Sequence, residues 1–248
     1  MLLATNSERR ERNNEKMRIL LNFLKEETYS DFKTLMLLFG FKDHKSLYSL
    51  LKKMTEMGLI QKHTLESRTN KIALWGITND GLAVVLTPDD KVIPSRFEAY
   101  RITGWSLDHH LDNQLARLIL EKKGASNWIN GDRSTFLSHY NVKHRPDGLI
   151  TLPDSRVVAV ETERRLKTKA RYQSIIASHL MARTGRHWIY VFYVVPDEQK
   201  KRALRVIFDS ITHVNVNNQR HLLEEKHRNV FRIYTTEELS KLELTNYA

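Results

Sequence analysis

Residues 144–172, HRPDGLITLPDSRVVAVETERRLKTKARY, hold the side chains best placed to do chemistry. Glu161 and Glu163 stand two apart at the end of an apolar run, and alternate residues of a strand share a face. A turn at Pro153-Asp154-Ser155-Arg156 would fold the preceding segment back and bring Asp147 beside both glutamates. Three carboxylates gathered in this way repel one another unless a divalent cation sits between them, and hard cations bind through such oxygens. Mg²⁺ or Mn²⁺ is the cofactor this implies, with Asp147, Glu161 and Glu163 as its ligands. The chemistry that follows is metal-assisted cleavage of a phosphodiester. Acidic residues at hairpin ends are commonly solvated, and Asp-Gly commonly just turns the chain. Val157-Val158-Ala159-Val160, however, is apolar on both faces, which describes a central, buried strand. Two glutamates capping such a strand are poorly explained as surface decoration.

The charge balance points to a polyanionic partner. The chain of 248 residues carries 40 Lys/Arg against 29 Asp/Glu, a net charge of +11. Residues 164–186, immediately after the carboxylates, contain seven Lys/Arg and no acid. Neutralisation of phosphates supplies most nonspecific affinity for nucleic acid, so cations flanking a carboxylate site suit a DNA substrate. A hydrophobic content of 41% and four tryptophans predict a folded protein. No apolar run has membrane-span length, and the first residues, MLLATNSERRERNNEK, lack an apolar core of signal-peptide size. Zero cysteines exclude disulfides and thiolate metal sites. These features predict a soluble cytoplasmic protein with no membrane insertion.

The elements that must position the site fall into two parts. Residues 1–14 read as a basic N-terminal tail, and 15–87 as a small helical domain with a strand pair. Asn14 can cap a helix with Met17, Leu20, Leu21 and Leu24 inward. Tyr29-Ser30-Asp31 starts a second helix ending near Gly40. Asp43 caps a third, with Leu47, Leu50, Leu51 and Met54 apolar, and Gly58 follows its end. Two short strands flank the polar loop Glu66-Ser67-Arg68-Thr69-Asn70. Three helices followed by a hairpin with a basic tip describe a winged helix-turn-helix. Residues 88–103 read as a linker with partial structure.

The second domain, 104–248, begins with a helix that puts Leu107, His110, Leu111, Gln114, Leu115 and Leu118 on one face. A strand near Trp128-Ile129, the Asp147 hairpin, a helix over 166–183, an apolar strand over 187–195, a helix over 197–211, a strand over 229–234 and a Thr235-capped helix follow. This order predicts an α/β fold, a mixed sheet flanked by helices.

The phrase from Leu47 through Gly58-Leu59-Ile60 to Thr78 and Gly81-Leu82 resembles winged-helix DNA-binding domains. That resemblance puts the third helix in a major groove and the wing on the backbone. His44, Lys45, Ser46, Tyr48, Ser49 and Lys52 would then face double-stranded DNA, with Arg68 and Lys71 in the wing. The second domain resembles the PD-(D/E)XK restriction-endonuclease-like fold, with Pro146-Asp147 as its first half and Glu161-Thr162-Glu163 as its second. Glu163 stands where that pattern usually has lysine. The resemblance implies a cation supplied from the following helix, Lys169 first, with Lys167 or Arg165 as substitutes.

With His110-Leu111-Asp112-Asn113, Arg145-Pro146-Asp147-Gly148 and Lys169-x-x-Tyr172, the chain over roughly 15–235 looks like the MobC-type relaxases of mobilisable plasmids and is similar to replication-relaxation proteins. This implies a nickase acting at a plasmid transfer origin, with relaxosome accessory and coupling proteins as partners. His110 is then a general base or further ligand, and Tyr172 the candidate for covalent attack on phosphate, although a metal site already offers an activated oxygen. The paired histidines around an apolar residue that mark other relaxases are absent. A non-catalytic DNA-binding regulator and a double-strand endonuclease are the competing classes.

Overall fold

The computed structural model describes residues 5–66, 71–90, 92–102 and 104–244. It is a mixed α/β protein with ten α-helices and a five-stranded mixed sheet among the described residues. None of these helices is long and apolar enough to cross a membrane. The chain divides into two compact units, Met1–Leu111 and Asp112–Ala248.

The first unit opens with α1 (Asn6–Glu27), capped by Thr5 in a reciprocal capping box with Glu8. The described part of the expected tail, residues 6–14, is therefore helix. Its side chains are all polar, so the apolar period that betrays a helix begins only at Met17. Thr28, at φ 72°, ends the helix. Tyr29–Asp31 is strand β1 rather than the start of a helix, and Asp31 caps α2 (Phe32–Phe39) by accepting from Thr34 N at 2.8 Å. Gly40 closes α2 in the left-handed conformation, and Asp43 caps α3 (His44–Glu56), as the sequence predicts.

Strands β2 (Ile60–Glu66) and β3 (Lys71–Ile77) pair antiparallel, and β1 adds to the other edge of β3. Thr78 caps α4 (Asn79–Val85). Gly81 of that helix packs against the chain at Leu59, where a Cβ would lie 2.1 Å from the carbonyl oxygen. Leu20, Leu21, Leu24, Leu35, Leu47 and Ile77 form the solvent-free centre.

The segment expected as a partly structured linker is held at two points among its described residues. Phe97 is buried and donates its N–H to Ile77 O at 2.9 Å, and Asp90 pairs with Lys25 at 2.9 Å. One aromatic and one ion pair suffice to hold a proline-containing segment that has no period of its own. The division between the units falls inside α5 (Gly104–Lys122), eight residues later than the expected boundary at 104.

The second unit is built on β4 (Ser126–Asn130), β5 (Gly148–Thr151), β6 (Val157–Thr162), β7 (Tyr190–Val195) and β10 (Phe231–Thr235), in the spatial order β10-β7-β6-β5-β4. Strands β4, β5 and β6 run antiparallel, while β6, β7 and β10 are parallel. Between them lie α6 (Ser134–His139), α7 (Lys169–Thr184), α8 (Glu198–Ser210) and α9 (Glu225–Arg228), and α10 (Thr236–Lys241) follows the last strand. Strand β6 is buried from Val158 to Thr162, which takes in the apolar run to Val160 and the polar Glu161 and Thr162 after it. Ala159, Val191, Tyr193 and Val195 meet Tyr172, Ile175 and Ile176 of α7 and Leu204 and Phe208 of α8 in the main core. A hairpin of β8 (His213–Val216) and β9 (Gln219–Leu222), not predicted from the sequence, turns at Asn217-Asn218. Both asparagines have positive φ, as such two-residue turns require.

Candidate metal centre

Register brings Asp147 to the end of β6. Gly148 pairs with Val160, so Asp147 lies one step beyond, across from the end of β6. Gly148 serves this placement by packing rather than by turning, because a Cβ there would lie 2.2 Å from Cζ2 of Trp128. Asp147 Oδ2 accepts from Thr162 N at 2.7 Å and from Thr162 Oγ1 at 2.9 Å. Thr162 separates Glu161 from Glu163, and strand alternation turns its side chain to the opposite face. The aspartate is therefore held on that residue and not between the two glutamates.

Glu161 is buried and enclosed by two histidines absent from the sequence-based reading. Its Oε1 accepts from His144 Nε2 at 2.8 Å and from His179 Nε2 at 3.0 Å. Burial alone would raise this carboxyl, but the two imidazole hydrogen bonds outweigh burial and hold it down at about 2. The three groups come from three places. His144 lies in the loop before β5, Glu161 near the end of β6, and His179 within α7, fully buried. His144 N donates to Ser178 Oγ at 2.9 Å, tying the loop to the helix. The His179 ring lies among His144, Trp188 and Phe231, and its Nδ1 is buried without a hydrogen-bond partner.

Glu163, also buried, keeps different company. Its Oε2 accepts from Lys167 Nζ and, at 2.9 Å, from Tyr172 OH. Burial raises its pKa, Lys167 and Tyr172 pull it down, and Glu161 adds repulsion; the net displacement is upward. Tyr172 is fully buried, accepts from Lys167 N at 3.2 Å, and is driven by burial well above an ordinary phenol. An enclosed hydroxyl held in this way is a packing and hydrogen-bonding group, not an attacking one. Lys169, the expected cation, points elsewhere, donating to Ser210 O at 2.6 Å. The cause is local: α7 starts at Lys169 with Thr168 as its cap, so Lys167 falls in the turn before the helix and reaches back to Glu163. His110 belongs to the first unit, with Nε2 2.9 Å from Glu27 O and its ring against Tyr29.

Among the described residues, one group of three potential ligands converges, and it is His144, Glu161 and His179, with ligand atoms all within 4.8 Å of one another. Asp147, Glu161 and Glu163 form no such group as placed. Sequence signals for the missed pair exist. His144 stands three residues before Asp147, and His179 lies on the α7 face of Tyr172, Ile175 and Ile176, where a polar ring needs a reason.

In the first unit, His44, Lys45, Ser46, Tyr48, Ser49 and Lys52 are all exposed on α3, and Tyr48 stacks on Phe32 at 4.4 Å. Lys52 approaches Glu56 at 3.8 Å and Lys71 pairs with Glu66 at 2.6 Å, both on the surface. Arg68 lies outside the described residues. Comparison with known proteins finds no matching family model, no matching curated protein and no matching solved structure.

Proposed function

We propose that the chain is a metal-dependent nickase of double-stranded DNA, with a winged-helix first unit that docks on the duplex and a PD-(D/E)XK-like second unit that cuts. One observation carries this reading. At the shared end of β5 and β6, Asp147 is hydrogen-bonded to the residue between two buried glutamates, and Lys167 stands on the second of them. The antiparallel β4-β5-β6 meander followed by α7 and the parallel strand β7 supports the same assignment. Lys167 takes the role first given to Lys169, since its ammonium group is adjacent to Glu163 and can meet phosphate charge there. The exposed α3 face, with Lys45 and Lys52, suits phosphate contact that positions the duplex. Action at a plasmid transfer origin rests on the likeness to mobilisation relaxases described above.

The test is conversion of supercoiled plasmid carrying the origin to open circles, assayed separately with Mg²⁺, Mn²⁺ and imidazole-binding ions. Asp147→Ala and Glu161→Ala should abolish nicking while origin binding stays within about tenfold, because the first unit supplies most docking. Full nicking by folded Glu161→Ala would sink the assignment, and linear product would indicate a double-strand endonuclease. A second reading, a DNA-binding regulator without catalysis, is favoured by the protein partners that already satisfy Asp147, Glu161 and Glu163. Specific binding with no cleavage under any cation would establish it.

A further inference from the structure

We infer that His144, Glu161 and His179 form a binding site for a divalent transition metal of the imidazole-binding class, such as Zn²⁺ or Co²⁺. The donor set is two imidazoles and one carboxylate. Mg²⁺ prefers a shell of oxygens, whereas imidazole nitrogens suit zinc and its neighbours. Two histidines and a glutamate are a sufficient protein ligand set for Zn²⁺ with one position left open.

The geometry needs little change to accept an ion. Metal–ligand bonds of roughly 2.0–2.2 Å in a tetrahedral shell set ligand atoms roughly 3.4 Å apart. The two nitrogens now lie 2.8 and 3.0 Å from Glu161 Oε1, so small side-chain rotations open the required space. Three separate elements supply the ligands, and the His144 N to Ser178 Oγ hydrogen bond fixes the loop against α7 beside His179. The cluster is therefore assembled by the fold before any ion arrives.

A second observation points the same way. His179 is completely buried, and its Nδ1 has no hydrogen-bond partner. An orphaned buried nitrogen lowers stability, and an apolar side chain at that position of α7 would fill the core without the loss. What the imidazole gives in return is Nε2, aimed at the same carboxylate oxygen as a second imidazole. His144 is half-buried, which leaves a route to the cluster from solvent. The inference stands on this geometry alone and holds whether or not the chain cuts DNA.

The experiment uses the full chain stripped by a chelator and titrated with Co²⁺ and Zn²⁺, read by calorimetry, by the visible Co²⁺ spectrum and by thermal melting. One ion per chain should bind, raise the melting temperature and resist a large excess of Mg²⁺. His144→Ala should weaken binding by at least about tenfold and Glu161→Gln likewise. His221→Ala, at an exposed histidine of β9, should leave affinity unchanged and so control for adventitious surface binding. Because His179 is deep in the core, His144→Ala carries the decision, with circular dichroism confirming its fold. Absence of stoichiometric binding, displacement by equimolar Mg²⁺, or affinity that both His144→Ala and Glu161→Gln leave intact would overturn the site. Confirmed metal binding without nicking would leave this site standing and remove the nickase reading; nicking supported by Mg²⁺ with no Zn²⁺ or Co²⁺ binding would do the reverse.

Discussion

Replacing Tyr172 with phenylalanine separates a structural tyrosine from a chemical one. The ring is fully buried and meets Phe208 edge-on at 5.4 Å, so Tyr172→Phe keeps the packing and removes only the hydroxyl. That hydroxyl donates to Glu163 Oε2 at 2.9 Å and accepts from Lys167 N at 3.2 Å. A hydrogen bond to a charged group contributes roughly 1.5–3 kcal/mol, and the N–H left behind adds to the loss. Lys167 still neutralises Glu163, which argues for the lower half of that range. We expect a destabilisation of about 2 kcal/mol, or a fall in melting temperature of about 4–8 °C for a chain of this length. Scanning calorimetry of the full protein reads this directly. Nicking, measured below the new melting temperature, should remain near the wild-type rate, because an enclosed hydroxyl that burial keeps protonated attacks nothing. A shift below about 2 °C would refute the energetic argument. A folded but inactive variant, or a phosphotyrosyl adduct recovered after protease digestion, would refute the mechanistic one.

Two further outcomes follow from the geometry. Lys45→Ala and Lys52→Ala, tested singly by fluorescence anisotropy across a salt series, should each flatten the salt dependence of DNA binding by roughly one unit of slope. The pair of Lys52 with Glu56 is too exposed to withhold its charge, and unchanged slopes would remove α3 from the interface. Glu161, depressed from its ordinary 4.5 to about 2 by His144 and His179, contributes stability that is fully present above 4.5 and is lost as pH falls toward 2. Acid unfolding followed by near-ultraviolet circular dichroism should show this loss in the wild type and not in Glu161→Gln, and identical acid profiles would contradict it.

The features legible in the sequence were those whose cause is local. Asp43 before α3, Gly40 after α2, and Thr235 before α10 each announce a helix end through a hydrogen bond or backbone conformation set within four residues. The hairpin that returns Asp147 to β6 was legible for the same reason. Its turn is built at Ser155, with Leu152 N bonded to Arg156 O. The Asn217-Asn218 turn is equally local in cause, yet the hairpin of β8 and β9 was missed. The polar first turns of α1 carried no apolar period, and only the Thr5/Glu8 box marked their start.

The site itself is a different kind of object, because burial decides it and burial is collective. Glu161 and Glu163 were conspicuous since two carboxylates end a strand with no polar face, and a buried carboxylate must find a partner. The sequence shows that requirement but not who meets it. A cation between the glutamates, an imidazole pair and a lysine with a tyrosine all satisfy the same need. For Lys167 and Lys169 the choice depends on where α7 begins. Starting at Lys169 rather than Leu166, the helix carries Lys169 toward Ser210 and leaves Lys167 to Glu163, while His179, further along α7, meets Glu161. One expected carboxylate centre is thus two neighbouring ones of different chemistry, an imidazole-rich cluster at Glu161 and a cation–phenol cluster at Glu163. The first holds the donor set of the proposed metal site, and the second sets Lys167 beside a buried carboxylate.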